Sequence, residues 1–139
     1  MKQLFLLTLI ILGINVTGQT IIGKWVTFDD KTKEKKAVIE IYTNNNTYYA
    51  KIIENFGGPK NAICKECTGS KKNKPILGLV IIENLKQKKS EYVGGIILDP
   101  ETGDNYDCQL ELITNNILKV RGFLGFSLFG RTQYWKRKE

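Results

Sequence analysis

Beyond residue 20 the chain alternates short apolar runs with compact polar clusters, and the runs have the two-residue period of half-buried strands. Residues 105–114 show this most cleanly, with Tyr106, Cys108, Leu110 and Leu112 alternating against Asp107, Gln109 and Glu111. Residues 36–43 repeat it, with Ala37, Ile39 and Ile41 set against Lys36, Glu40 and Tyr42. Comparable runs predict strands over 22–28, 47–54, 77–85, 91–98, 117–123 and 131–137. Asn44-Asn45-Asn46 reads as a turn, because Asn tolerates positive φ and bonds to its own backbone. Asp99-Pro100-Glu101-Thr102-Gly103 reads as another, with proline fixing φ and glycine free to become left-handed.

Strands joined mostly by short turns, with no convincing helical period, predict an all-β chain of about eight strands. Its expected form is a single up-and-down antiparallel β-barrel, since closure removes the exposed edges; two packed sheets are the alternative. In such a meander the connections after strands one, three, five and seven share one end. Residues 29–35, the long Gly/Lys/Asn-rich 55–75, 99–104 and 124–130 therefore meet at one mouth. Tyr48, Ile39, Ile41, Tyr106, Leu110, Leu112, Leu118 and Val120 are the candidate inward side chains. Eight strands enclose a space that side chains can fill or that holds one small ligand.

Residues 1–18 are expected to stand outside this fold. A basic start at Lys2, an apolar run from Leu4 to Ile14 and small residues at 16–18 form a secretory signal pattern. The run is too short for the ~30 Å hydrocarbon core of a bilayer. Residues 19–139 are then one β-barrel domain, periplasmic or secreted.

A length of 139 residues fits one small domain, and 42% hydrophobic with 25% charged residues is an ordinary globular balance. The absence of histidine excludes His-dependent nucleophile systems and His-ligated metals. The carboxylates Asp99, Glu101, Asp104, Asp107 and Glu111 sit in a turn or on the polar face of one strand, as solvated acids do. No phosphate-cradling glycine motif or EF-hand spacing is present. A non-catalytic protein without metal or cofactor is expected. The formal charge is +7, but the basic residues lie scattered at turns and termini, at Lys31, Lys33 and Lys35, Lys71, Lys72 and Lys74, and Lys86, Lys88 and Lys89. That distribution protects strand ends and solubility, and speaks against nucleic-acid binding. It is compatible with peripheral attraction to an anionic envelope surface.

The segment 123–130 places five large apolar side chains in a glycine-punctuated connection, where turns are normally polar. Phe126, Leu128, Phe129, Arg131, Tyr48 and Tyr106 are the candidate contacts for a small apolar or amphipathic ligand. Arg131 is suited to a carboxylate or phosphate, or to pairing with Asp99 or Asp104 at the same rim. The alternative is that this segment fills a solid core, or acts in the envelope through protein contact. A monomer is expected.

Three cysteines suit an oxidising compartment. Cys64-Lys65-Glu66-Cys67 lies in loop, not at a helix start, which argues against thioredoxin-like exchange. A zinc site would lack ligands. Strand counting favours a Cys67–Cys108 bridge pinning residues 55–75 as a lid, with Cys64–Cys67 the alternative.

Gly23-Lys24-Trp25 opens the first strand and Trp135-Lys136-Arg137 closes the last. This resembles the calycin pattern of lipocalins and fatty-acid-binding proteins. The resemblance implies that Gly23, Trp25 and Arg137 build the closed end, with the guanidinium across the indole. Residues 118–137, with 73–79 and 94–100, are similar to a family of secreted bacterial proteins known as domain of unknown function 2147. That resemblance spans essentially the whole of residues 19–139 and implies a family without an assigned activity.

Overall fold

A computed structural model describes residues 19–125 and 129–139. Eight strands close into an antiparallel barrel in simple sequence order: β1 (Gly23–Phe28), β2 (Lys35–Asn44), β3 (Thr47–Asn55), β4 (Val80–Lys88), β5 (Glu91–Leu98), β6 (Asn105–Thr114), β7 (Ile117–Phe123) and β8 (Gly130–Arg137). The strand bounds follow the polar clusters closely. Asn45 and Asn46 take φ of 52° and 61° between β2 and β3. In the β5–β6 turn Asp99 Oδ1 accepts from the Glu101 amide, and the Gly103 amide donates to the Asp99 carbonyl.

The fourth strand starts later than its apolar run suggests. Residues 77–79 belong to the preceding connection, where Gly78 N–H donates to the Ile52 carbonyl and Ile52 N–H to the Leu79 carbonyl. Along β3–β4 the register slips between Tyr48↔Leu85, Ala50↔Ile82 and Lys51↔Val80, and Asn84 is left-handed at φ 64°. Such bulges turn successive side chains to one face, which is why Ile81 and Ile82 are both buried.

The barrel has two different halves. At the closed end Trp25, Ile41, Leu85, Leu110 and Leu118 are almost completely buried. A large part of the apolar stabilisation resides here, at roughly 25 cal/mol per Å² removed from water. The other end is the mouth, where the 56–79 connection, a 3₁₀ turn at Gly69–Lys71 included, arches over one side.

Candidate functional site

The closed end fixes the frame. The Arg137 guanidinium lies 4.3 Å from the centre of the Trp25 ring. Its Nη2 donates to the Thr20 carbonyl at 2.7 Å, Nη1 to Ile22 at 3.1 Å and Nε to Asn115 at 2.6 Å. The Trp25 indole N–H donates to the Ile21 carbonyl at 2.8 Å. Gly23 leaves room for Arg137, because a Cβ there would stand 3.0 Å from Nη1.

At the mouth a cavity of about 630 Å³ descends into the barrel. Its apolar wall includes Ile39, Ile52, Ile81, Ile97, Val120 and Trp135. Two of the sequence-predicted contacts with described positions, Tyr106 and Phe129, line it, and Arg131 stands at its rim. Phe126 and Leu128 lie outside the described residues. The core is therefore not solid throughout: it is packed at the closed end and open at the mouth. That volume is in the range of small-molecule sites.

Tyr48 is not part of this cavity. It is the second residue of β3, beside the β2–β3 turn at the closed end, and packs edge-on against Tyr92 with ring centres 4.8 Å apart. Its hydroxyl donates to Gln87 Oε1 at 3.4 Å. Burial, and then the neighbouring Tyr48, push the Tyr92 phenol above its ordinary range.

Arg131 pairs with neither Asp99 nor Asp104. Its Nη2 meets Asp30 Oδ2 at 2.8 Å. Barrel closure explains the choice: β8 runs beside β1, and Asp30 follows β1 directly. The β1–β8 ladder itself consists of Trp25↔Arg137 and Val26↔Lys136. Beyond it side chains span the two strands. Gln133 Nε2 donates to Asp30 Oδ1 at 3.2 Å, and Trp135 Nε1 donates to Gln133 Oε1 at 3.2 Å. Across the mouth, Lys36 Nζ meets Glu101 Oε1 at 2.9 Å. Closure of an eight-strand meander was the signal that could have found Asp30; nothing in the spacing marks Lys36 and Glu101 as partners.

The cysteines pair locally. The disulfide joins Cys64 to Cys67, and Cys108 is a buried free thiol, so the longer Cys67–Cys108 bridge does not form. The reason is depth. The Cys64–Cys67 loop docks on the β5–β6 turn, with Cys64 Sγ 3.5 Å from the Pro100 carbonyl oxygen. Cys108 lies at the fourth position of β6, about 10 Å further down the wall at 3.3 Å per residue. There it pairs in register with Gly95 and Gly122, where a Cβ on Gly95 would stand 3.0 Å from its Sγ. Burial, with Asp107 adding to it, pushes the Cys108 thiol up to about 12, so it is no nucleophile at neutral pH. The arch is held by docking instead. Ala62 and Cys64 exchange backbone bonds with Ile76, Lys74 and Asn73, and the Glu66 carbonyl packs onto Gly103.

Among the described residues no group of three His, Cys, Asp or Glu side chains converges to hold a metal ion. Every buried side-chain nitrogen and oxygen among them has a hydrogen-bond partner. The rim carries exposed apolar side chains, with Leu124 at 64%, Phe129 at 73% and Phe56 at 50% exposure.

The barrel is similar to a solved structure of protein HP1028 from the human pathogen Helicobacter pylori, described as belonging to the lipocalin family. The TM-score is 0.78 at 22% identity, over 88% of this chain and 85% of that one. The architecture is thus the lipocalin-like barrel that Gly23, Trp25 and Arg137 suggested. Comparison with curated proteins gives no match. Residues 23–137, β1 through β8 entire, match the family described as an uncharacterized protein conserved in bacteria (DUF2147), and the chain belongs to that family.

Proposed function

We propose that this protein is a non-catalytic, monomeric carrier that holds one small apolar or amphipathic molecule in the mouth of its barrel. The observation that carries this reading is the 630 Å³ cavity walled by Ile39, Ile52, Ile81, Ile97, Val120 and Trp135. A largely apolar wall of this kind favours an apolar guest by about 0.8 kcal/mol per buried CH₂. The polar side chains at the rim are already engaged, Asp30 with Arg131 and Glu101 with Lys36, which suits binding better than acid–base chemistry. The lipocalin-like architecture supports the same reading.

The signal pattern of residues 1–18 supports placing this carrier in the periplasm or outside the cell. Intact mass of the protein recovered from cell fractions tests this, with a chain beginning at Gln19 expected. Native mass spectrometry beside a denatured run of the same sample tests the carrier reading. A reproducible extra mass that disappears on denaturation is expected; a bare protein that also fails to take up N-phenyl-1-naphthylamine would sink it.

The exposed Leu124, Phe129 and Phe56 favour a second reading, in which the rim rests on an envelope surface or a protein partner. Replacement of Phe56, which lies outside the cavity wall, by Ser would then weaken co-fractionation with envelope membranes while leaving probe uptake intact.

A further inference from the structure

The charged side chains that line the cavity balance, Lys36 and Arg131 against Glu101 and Asp99, the last occupied by the Glu101 amide rather than by a cation, and this restricts the guest. Two cations reach the cavity, Lys36 and Arg131. Lys36 is held by Glu101 at 2.9 Å and Arg131 by Asp30 at 2.8 Å. Asp30 is tied further into the barrel through Gln133 to the Trp135 indole, so its carboxylate is fixed beside the guanidinium. Deeper in, the Thr27 hydroxyl is committed to the Ala37 carbonyl and the surrounding wall is apolar.

An anionic head group approaching Arg131 would have to share it with Asp30 and would meet that carboxylate at close range. A cationic head would meet Arg131 and Lys36 in the same way. A guanidinium has five N–H donors, an ammonium three and a carboxylate about four acceptor positions, so each pair keeps unused capacity of both kinds. A head that is neutral overall, offering both donors and acceptors, uses this capacity without separating either pair. Resting on the carrier reading above, we infer that the guest is a single-chain amphiphile whose polar head carries no net charge, hydroxylated or zwitterionic. Its tail fills the space between Ile39, Ile52, Ile81 and Ile97, and its head lies between Asp30–Arg131 and Lys36–Glu101.

The whole-chain charge of +7 pulls the other way, toward anions, which makes the comparison informative. Four amphiphiles with the same twelve-carbon tail separate the terms: dodecanoate, dodecyltrimethylammonium, 1-monolauroylglycerol and dodecylphosphocholine. Each would displace N-phenyl-1-naphthylamine, an uncharged probe, from the intact protein at low ionic strength and below micelle formation. The two net-neutral compounds should bind about three- to fivefold more tightly than dodecanoate or dodecyltrimethylammonium. In Asp30→Asn, which leaves Arg131 unneutralised, the ratio of dodecanoate to 1-monolauroylglycerol affinity should rise about three- to fivefold. Both pairs are partly exposed, so a factor of about five is the scale that such an ion pair commands. Equal binding of all four, tightest binding of dodecanoate, or an unchanged ratio in Asp30→Asn overturns the head-group inference and leaves the carrier reading standing. Failure of the probe and all four compounds to bind removes both.

Discussion

Arg137 ties two separate pieces of backbone, the lead-in to β1 and the β6–β7 turn, to the face of one indole: its guanidinium lies 4.3 Å from the Trp25 ring centre and donates to carbonyls of Thr20, Ile22 and Asn115. The β1–β8 ladder is the shortest in the barrel, so this cluster carries much of the closure. Arg137→Ala should lower stability by about 2–3 kcal/mol, combining a cation–π contact with hydrogen bonds from a charged donor. Arg137→Lys keeps the charge but loses the planar fork, and should recover less than half of the loss. Urea denaturation of the two variants beside the native protein decides this. Equal stability of all three would show that closure rests on packing of Trp25 alone.

The dock between the disulfide loop and the β5–β6 turn depends on one missing side chain. A Cβ on Gly103 would stand 1.9 Å from the Glu66 carbonyl oxygen, and φ there is +77°. Gly103→Ala should therefore lift the Cys64–Cys67 loop from the turn and cost about 1–3 kcal/mol. Gly69 is also left-handed, at +60°, but has open space around it, so Gly69→Ala should cost only about 1 kcal/mol. Hydrogen exchange over residues 62–76 separates the two. It should accelerate in Gly103→Ala and stay near native in Gly69→Ala.

Thiol titration checks the cysteine pairing. The native protein should react with no equivalent of a thiol reagent at neutral pH, because Cys108 is buried and its thiol is pushed up to about 12. Unfolding without reductant should expose one thiol, and unfolding with reductant three. The sign of the pH dependence follows from linkage. The folded thiol holds its proton more tightly than the unfolded one, whose ordinary value is 9.0. Its contribution is complete below about pH 9 and is lost as pH rises from there towards 12. Cys108→Ala removes that loss, so its stability should fall less steeply than the native protein's over this window. Parallel slopes would mean that the thiol ionises in the fold as freely as in solution.

How far the sequence carried is visible in particular residues. The alternation of Tyr106, Cys108, Leu110 and Leu112 gave β6 its bounds, and Asn45-Asn46 and Asp99–Gly103 formed turns where expected, since these signals are local. Closure put the long connections at one mouth, as strand counting required. Depth along the barrel was not legible. Tyr48 and Cys108 share an inward pattern with Tyr106, yet Tyr48 lies at the closed end and Cys108 too far down the wall to reach Cys67. The β4 bulges at Ile81–Ile82 and Asn84 were equally hidden, because an extra residue in one strand is a property of the pair. The cavity itself depends on how completely facing side chains fill the space, and a list of apolar residues does not contain that.

The two halves of the barrel should answer differently to truncation. Leu118 at the closed end is fully buried, pairs in register with Trp135 and Leu112, and lies outside the cavity wall. Leu118→Ala leaves a void that its neighbours cannot close, and should cost about 3–4 kcal/mol. Ile81 is nearly as buried but faces the cavity. Its side chain already lacks packing partners on that side, so Ile81→Ala forfeits fewer contacts and should cost about 2 kcal/mol or less. Ile81→Ala enlarges the binding space where Leu118→Ala does not, so it alone should change the affinity for N-phenyl-1-naphthylamine. Denaturation midpoints and probe titrations on the same two variants settle both points. If Ile81→Ala proves as costly as Leu118→Ala and leaves probe affinity unmoved, the mouth half is packed as tightly as the closed end and the space it offers to a guest is closed in solution.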